Sequence, residues 1–357
     1  MSQIYSLRVS AIERQTPESV AITLDPGNNA AAFNYLSGQY LTFILPIGGE
    51  SLHRSYSICS APHENILRVA VKEVEGGRAS TFLNRQLKVG DELKSMAPMG
   101  NFFVPFDAGN QKHYVFFAAG SGITPVISLI KSSLHREPQS KITLFYANKS
   151  ASTTIFKDEL QSLSTDQRFK LVNIYSSDNQ VEPLFSGRIN FGKTLELIYN
   201  YCNDSLTKEY FVCGPSGMIE AVSEALQDSG VQKSAIHFEY FAAPGQDTTI
   251  KKEPAVTSEP AGFEGECEVE VMLDDRSYKF KLHTKGNSVL DATLDQGADA
   301  PYSCKGGVCT TCRAKLKSGS VKMDNNFALT DGEMKDGYIL TCQSHPTSSS
   351  IKVSYDE

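Results

Sequence analysis

Cys304-Lys305-Gly306-Gly307-Val308-Cys309-Thr310-Thr311-Cys312, with Cys342 further on, is the stretch from which the rest of the chain can be read. The spacing C-x4-C-x2-C followed by a distant cysteine suits four thiolates converging on a [2Fe–2S] cluster, three of them from one short loop. Gly306 and Gly307 let the backbone curl where a Cβ would collide with inorganic sulfide. Turned backbone N–H groups can then face the cluster's negative charge. Cys342 ends Gly337-Tyr338-Ile339-Leu340-Thr341-Cys342, which reads as a strand delivering the last ligand. The competing reading is a structural zinc site. Zinc frameworks pair two short Cys-x-x-Cys knuckles, and here a single one lies inside a longer loop, so Cys304, Cys309, Cys312 and Cys342 are expected to hold iron.

Working outward, a chain of 357 residues predicts two or three domains. A net charge of −7 argues against general nucleic-acid binding. There is no apolar run long enough to span a bilayer, and Met1–Tyr5 does not open a basic-then-apolar leader. Four of the eight cysteines remain outside the cluster set: Cys59, Cys202, Cys213 and Cys267. In a chain of this size they form no disulfide framework, which points to a reducing, cytoplasmic home.

From Tyr5 to about Pro105, short apolar runs alternate with turn signals. Ser6–Ile12, Val20–Leu24, Tyr40–Leu45, Ser55–Cys59, Leu67–Val74 and Glu92–Met96 read as strands, with one helix at Ser80–Gln86. This predicts a small antiparallel β-barrel. Within it, Arg54-Ser55-Tyr56-Ser57 offers a phosphate-binding guanidinium, a flat ring and hydroxyls. Gly76-Gly77-Arg78-Ala79-Ser80-Thr81 puts glycines before a helix start, where anions bind.

The texture changes at His113. Tyr114–Ala118 is a continuous apolar run, as in a buried parallel strand. Gly120-Ser121-Gly122-Ile123-Thr124-Pro125 follows, then the amphipathic Val126–Leu134. Proline suits the first turn of a helix, where its missing N–H has no partner to lose. Strands at Lys141–Ala147, Lys170–Tyr175 and Glu209–Cys213, with helices at Ile155–Leu163 and Met218–Ser229, predict a doubly wound α/β domain. Cys213-Gly214-Pro215 closes a strand, at the end where such sheets bind ligands. Pro244–Gly262 is poor in large apolar residues and reads as a linker, about twenty residues with a reach of roughly 25 Å. Beyond it come strands Cys267–Leu273 and Ser277–Leu282, helix Ser288–Gln296 and the cluster loop.

Taken together these motifs resemble the ferredoxin–NADP reductase superfamily, and their order resembles the reductase components of multicomponent oxygenases. The resemblance covers the whole chain. It implies that Arg54, Tyr56 and Ser57 bind flavin and that Gly77, Ser80 and Thr81 hold the FAD pyrophosphate. It implies that Gly120, Gly122, Thr124 and Pro125 form the nicotinamide-dinucleotide turn, and that Cys213, Gly214 and Pro215 lie beside the nicotinamide. Glu239 stands where the superfamily often has an acid near the flavin; simple packing is an equal reading of its aromatic neighbours Tyr240 and Phe241. The implied architecture is an FAD barrel (residues 1–107), an NAD(P) α/β domain (108–243), a linker (244–264) and an α+β, β-grasp ferredoxin domain (265–357). Cys213, Tyr56 and Ser57 are the candidate catalytic residues.

The expected function is electron transfer from NADPH or NADH, through FAD and the cluster, to a partner oxygenase, a diiron enzyme by this resemblance. A general electron-transfer role for a desaturase, another hydroxylase or a redox partner is the alternative. Ser176-Ser177-Asp178 stands where NADP-dependent members tend to have Ser-Arg, so the nucleotide preference is open, with Arg188 and Lys149 as further candidates for a 2′-phosphate.

Overall fold

The computed structural model describes residues 3–177, 182–241 and 263–356. The expected linker, apart from its last two residues, and Asp178 lie outside them.

The first region contains β1 (Tyr5–Thr16), β2 (Ser19–Asp25), β3 (Tyr40–Ile47), β4 (Glu50–Ser57), β5 (Leu67–Lys72), α1 (Arg78–Arg85) and β6 (Glu92–Ser95). They form one antiparallel sheet in the order β4-β3-β6-β1-β2-β5. An Ile58–Val69 bridge joins the continuation of β4 to β5 and closes the ring into a barrel. β4 begins earlier than the sequence pattern suggests. Gly48 and Gly49, at φ +64° and +81°, make a tight hairpin that pairs Glu50 with Ile47. Leu7, Val9, Ile22, Leu41, Phe43, Leu45 and Val69 fill the interior.

The second region contains β7 (Lys112–Ala119), α2 (Ile123–Arg136), β8 (Lys141–Asn148), α3 (Lys157–Leu163), β9 (Phe169–Tyr175), α4 (Phe191–Tyr201), β10 (Thr207–Gly214), α5 (Ser216–Asp228) and β11 (Ile236–Tyr240). The sheet is fully parallel, ordered β11-β10-β7-β8-β9. The chain winds outward from β7 and then returns to β10 on the other side. The strand order therefore reverses between β7 and β10, the place where such sheets bind ligands. β7 is buried on both faces, with Tyr114, Val115, Phe116, Phe117 and Ala118 all fully enclosed.

The third region contains β12 (Glu266–Leu273), β13 (Arg276–His283), α6 (Val289–Asp295), β14 (Arg313–Ser318), β15 (Val321–Met323), α7 (Asp331–Lys335), β16 (Tyr338–Leu340), β17 (Ser344–Pro346) and β18 (Ser350–Ser354). The main sheet runs β13-β12-β18-β14-β16, with β15 and β17 as a separate pair. β12 and β18 pair in parallel while the other ladders are antiparallel. α6 packs its Val289, Leu290 and Ala292 into the core of this sheet.

The three regions meet in two different ways. Ala21, Cys59, Ala70 and Phe102 of the barrel belong to the same apolar cluster as Ile123, Val126, Phe116 and Phe211 of the parallel sheet. Continuous apolar burial of this kind holds two domains as one body. The third region meets the barrel instead through hydrogen bonds and stacked rings.

Candidate redox site

The loop between α6 and β14 carries Cys304, Cys309 and Cys312. Ser288 caps the start of α6 by accepting the Asp291 amide at 3.2 Å, and the loop departs beyond the other end, at Gly297 with φ +75°. The loop turns at Lys305 and Gly307, both with positive φ. A Cβ on Gly307 would lie 2.8 Å from the Asn325 carbonyl oxygen, so only glycine fits. Gly307 O accepts from Phe327 N at 2.9 Å, and Gln343 Nε2 donates to Lys305 O at 2.9 Å. Cys342 sits on the tight turn Thr341–Gln343 just after β16, rather than on the strand itself. Thr341 donates to Cys312 O through both its amide (3.2 Å) and its hydroxyl (2.9 Å), drawing the two cysteines together.

The sulfurs converge. Cys309 Sγ lies 3.2 Å from Cys304 Sγ, and Gly306 N donates to Cys304 Sγ at 3.3 Å. Hydrogen bonds from Cys309 and Cys342 hold Cys304 down at about 2, and one from Cys342 lowers Cys312. Cys309 and Cys342 rise because each keeps its proton in a bond to Cys304. Cys304 and Cys312 are thus poised as thiolates, and Cys309 and Cys342 are the two thiols that must release a proton when a metal centre binds. Four thiols, a glycine-bound curve and an inward N–H fit [2Fe–2S].

β4 forms the facing wall. A cavity of about 350 Å³ lies between it and the cluster loop, lined by Arg54, Ser57, Glu239, Tyr302, Cys304 and Cys309. Alternation along β4 sends His53, Ser55 and Ser57 to one face and Arg54 and Tyr56 to the other. Tyr56 packs on Phe43, with ring centroids 5.6 Å apart, so it stands on the barrel side. Arg54 Nη1 donates to His53 O at 2.7 Å and its side chain still reaches the cavity. Ser57 Oγ donates to Glu239 Oε2 at 3.1 Å, joining barrel to parallel sheet. Burial pushes the Glu239 carboxyl up to about 8, which favours its neutral form at pH 7. Tyr40, which the sequence pattern does not single out, also lines the cavity. Burial, with the Cys309 sulfur next, raises its phenol well above the ordinary range, so it stays neutral.

At the start of α1, Gly77 precedes the first turn, and Ser80 Oγ is used locally. It accepts from Val74 N at 3.1 Å and donates to Gly77 O at 3.2 Å. Thr81 Oγ1 donates to Glu73 at 3.3 Å. Ser80 thus closes the loop, leaving Glu75, Gly76 and Arg78 exposed there and Thr81 partly so.

The Gly120–Pro125 and Cys213–Pro215 turns abut where the strand order reverses. Gly120 takes φ +53°, and Thr124 Oγ1 donates to Ser121 O at 3.0 Å, with Pro125 in the first turn of α2. A Cβ on Gly122 would stand 2.1 Å from Cys213 O. Cys213 is fully buried at the end of β10, paired in register with Glu239 of β11 and Ala118 of β7. Burial, reinforced by Glu239, raises its thiol well above the ordinary range, so it is a neutral thiol. Gly214 is hemmed in by Met218 and Ala119, and Pro215 precedes α5.

Models of known families match the chain in three places. An oxidoreductase FAD-binding domain matches residues 6–104, an oxidoreductase NAD-binding domain 116–224, and a 2Fe-2S iron-sulfur cluster binding domain 271–347. The chain is 37% identical over 359 residues to one of the subunits of the 1,2-phenylacetyl-CoA epoxidase of Escherichia coli, covering 100% of this chain and 99% of that protein. It is 31% identical to the ferredoxin reductase component of 3-ketosteroid-9-alpha-monooxygenase of Mycobacterium tuberculosis, covering 99% and 96%. Among solved structures, phthalate dioxygenase reductase shares the fold at a TM-score of 0.58 and 21% identity, over 98% of both chains. Among the described residues no helix is long and apolar enough to cross a membrane.

Proposed function

Because this chain belongs to the flavin- and [2Fe–2S]-dependent reductase components of oxygenases, which pass electrons from NAD(P)H through FAD and the cluster to a partner oxygenase, we propose the following residue roles and partner. When bound, FAD takes up two electrons as a hydride and releases them one at a time to the one-electron cluster. Cys304, Cys309, Cys312 and Cys342 hold the cluster. Arg54 and Ser57 bind the flavin from the cavity wall, and Tyr56 offers its ring from the barrel side. The Gly77 loop and Thr81 receive the pyrophosphate, while Ser80 keeps that loop closed. Gly120, Gly122, Thr124 and Pro125 cradle the nucleotide, and Cys213, Gly214 and Pro215 shape the floor beneath the nicotinamide. Ser57 and the protonated Glu239 hold a proton at the cavity's edge. The domain limits are 1–107, 108–243 and 265–357, and the protein works in the cytoplasm.

The observation that carries this reading is the cavity itself, which has flavin-strand residues on one wall and two cluster cysteines on the other. The partner is the oxygenase of a phenylacetyl-CoA epoxidase, supported by the full-length relative at 37% identity. Reconstitution tests it. NAD(P)H-dependent epoxidation should appear when the protein is mixed with that oxygenase. Faster turnover with the terminal oxygenase of a ketosteroid hydroxylase would overturn the partner assignment.

Nucleotide choice is the finer question. Ser177 occupies the position where an arginine would clamp the 2′-phosphate, and its amide donates to Lys149 O at 2.9 Å. One charge-assisted contact is worth about ten- to a hundredfold in affinity. NADPH is therefore accepted with modest discrimination over NADH. Comparison of kcat/KM for the two nucleotides checks this, and a preference above about a thousandfold would reveal a phosphate clamp elsewhere.

A further inference from the structure

We propose that Tyr40, Thr42 and Ser55 of the barrel form a docking seam for the cluster loop, with Tyr40 the positioning residue for electron transfer from FAD to the cluster. The proposal rests on the reading of the four cysteines as cluster ligands. The step it serves moves one electron from reduced FAD to the oxidised cluster, and no bond is made or broken.

The seam is built from hydroxyls on both sides. Tyr40 Oη accepts the Thr310 amide at 3.0 Å and lies 3.0 Å from Thr310 Oγ1 and 3.4 Å from Thr311 Oγ1. Thr42, two residues along the same strand and so on the same face, places its Oγ1 3.4 Å from Thr311 Oγ1. Ser55 stands opposite Thr42 in the β3–β4 ladder and donates to Ser303 Oγ at 2.9 Å. Each loop partner is the immediate chain neighbour of a cluster cysteine: Ser303 of Cys304, Thr310 of Cys309, Thr311 of Cys312. A shift at the seam therefore passes to the cysteines through one residue of backbone.

Tyr40 is the stiffest member. Its backbone exchanges hydrogen bonds with Met99 in both directions, at 2.8 and 3.0 Å. Its ring lies against Gly100, which takes φ +120°. A Cβ there would come within 3.0 Å of the ring. At the edge of the seam, His53 stacks on Tyr302 with centroids 4.6 Å apart and planes 7° from parallel. Its Nδ1 also lies 3.0 Å from Tyr302 O. Hydroxyl bonds exchange readily with water. The seam thus sets register without sealing the loop, unlike the apolar join between the barrel and the parallel sheet.

The test is the full-length holoprotein carrying Tyr40→Phe with Thr42→Val, its FAD and iron content checked against the unsubstituted protein. Stopped-flow mixing with NADPH follows flavin and cluster reduction in the same trace. Cluster reduction, normalised to flavin reduction, should slow about tenfold per hydrogen bond lost from the docked population. Hydrogen exchange at the Thr310 amide should quicken, and Thr42→Ser alone should restore the unsubstituted behaviour. A fully loaded double variant that reduces its cluster at the unsubstituted rate overturns the proposal. So does a Thr42→Ser protein as slow as the double variant. Iron-free unsubstituted protein would instead overturn the cluster reading on which the seam depends.

Discussion

Cytochrome c reduction is expected to disappear in Cys309→Ser, by about a hundredfold or more, while NAD(P)H:ferricyanide activity survives. Cys309 is almost fully buried, and its sulfur is 3.2 Å from that of Cys304. Serine offers a harder, poorly acidic oxygen where soft iron–sulfur chemistry needs thiolate. Ferricyanide is taken to draw electrons from the flavin directly, and cytochrome c to require the cluster. The apolar core shared by the barrel and the parallel sheet contains no residue of the cluster loop, so the flavin half should stand without the cluster. Parallel assays of the two acceptors check this. Equal loss of both would mean that Cys309, through the Thr310 contact to Tyr40, supports the flavin half as well.

The second large effect is expected at Gly122→Ala. The new methyl would meet Cys213 O at 2.1 Å, Cys213 C at 2.5 Å and Gly214 N at 3.0 Å. All three are backbone atoms at the end of a central strand, so they cannot step aside as a side-chain tip would. Overpacking of this kind costs about 1–3 kcal/mol or more, lowering Tm by about 2–12 °C in a body of this size. The damage falls at once on both of the turns proposed to hold the nucleotide. Flavin reduction by NADPH should therefore collapse, while chemical reduction of flavin and cluster by dithionite remains. Stopped-flow traces with the two reductants check this, and unsubstituted rates with NADPH would show that the turns can part without loss.

Local signals make much of this molecule legible in the sequence. The C-x4-C-x2-C spacing, the apolar run Tyr114–Ala118 and the glycine turns each express their chemistry within a dozen residues. β11 (Ile236–Tyr240) leaves no comparable mark, being short and buried at one residue only. α4 (Phe191–Tyr201) does carry a local signal, an amphipathic pattern behind the Asn190 cap, which is missing from the helices expected above. The early start of β4 depends on a Gly-Gly hairpin whose strand carries mostly polar residues. Tyr40 reads only as part of a strand, because its partners are 270 and 271 residues away. No local pattern marks a hydroxyl whose role is defined by another domain.

That separation also bears on biosynthesis. At about 5–20 residues per second, a ribosome adds the 270 residues between Tyr40 and Thr310 in about 15–50 s. From the completion of β6 to the end of that interval, the nascent barrel presents its docking face to water and to chaperones. An apolar face waiting so long would invite aggregation, whereas a row of hydroxyls is solvated until its late-translated partner arrives.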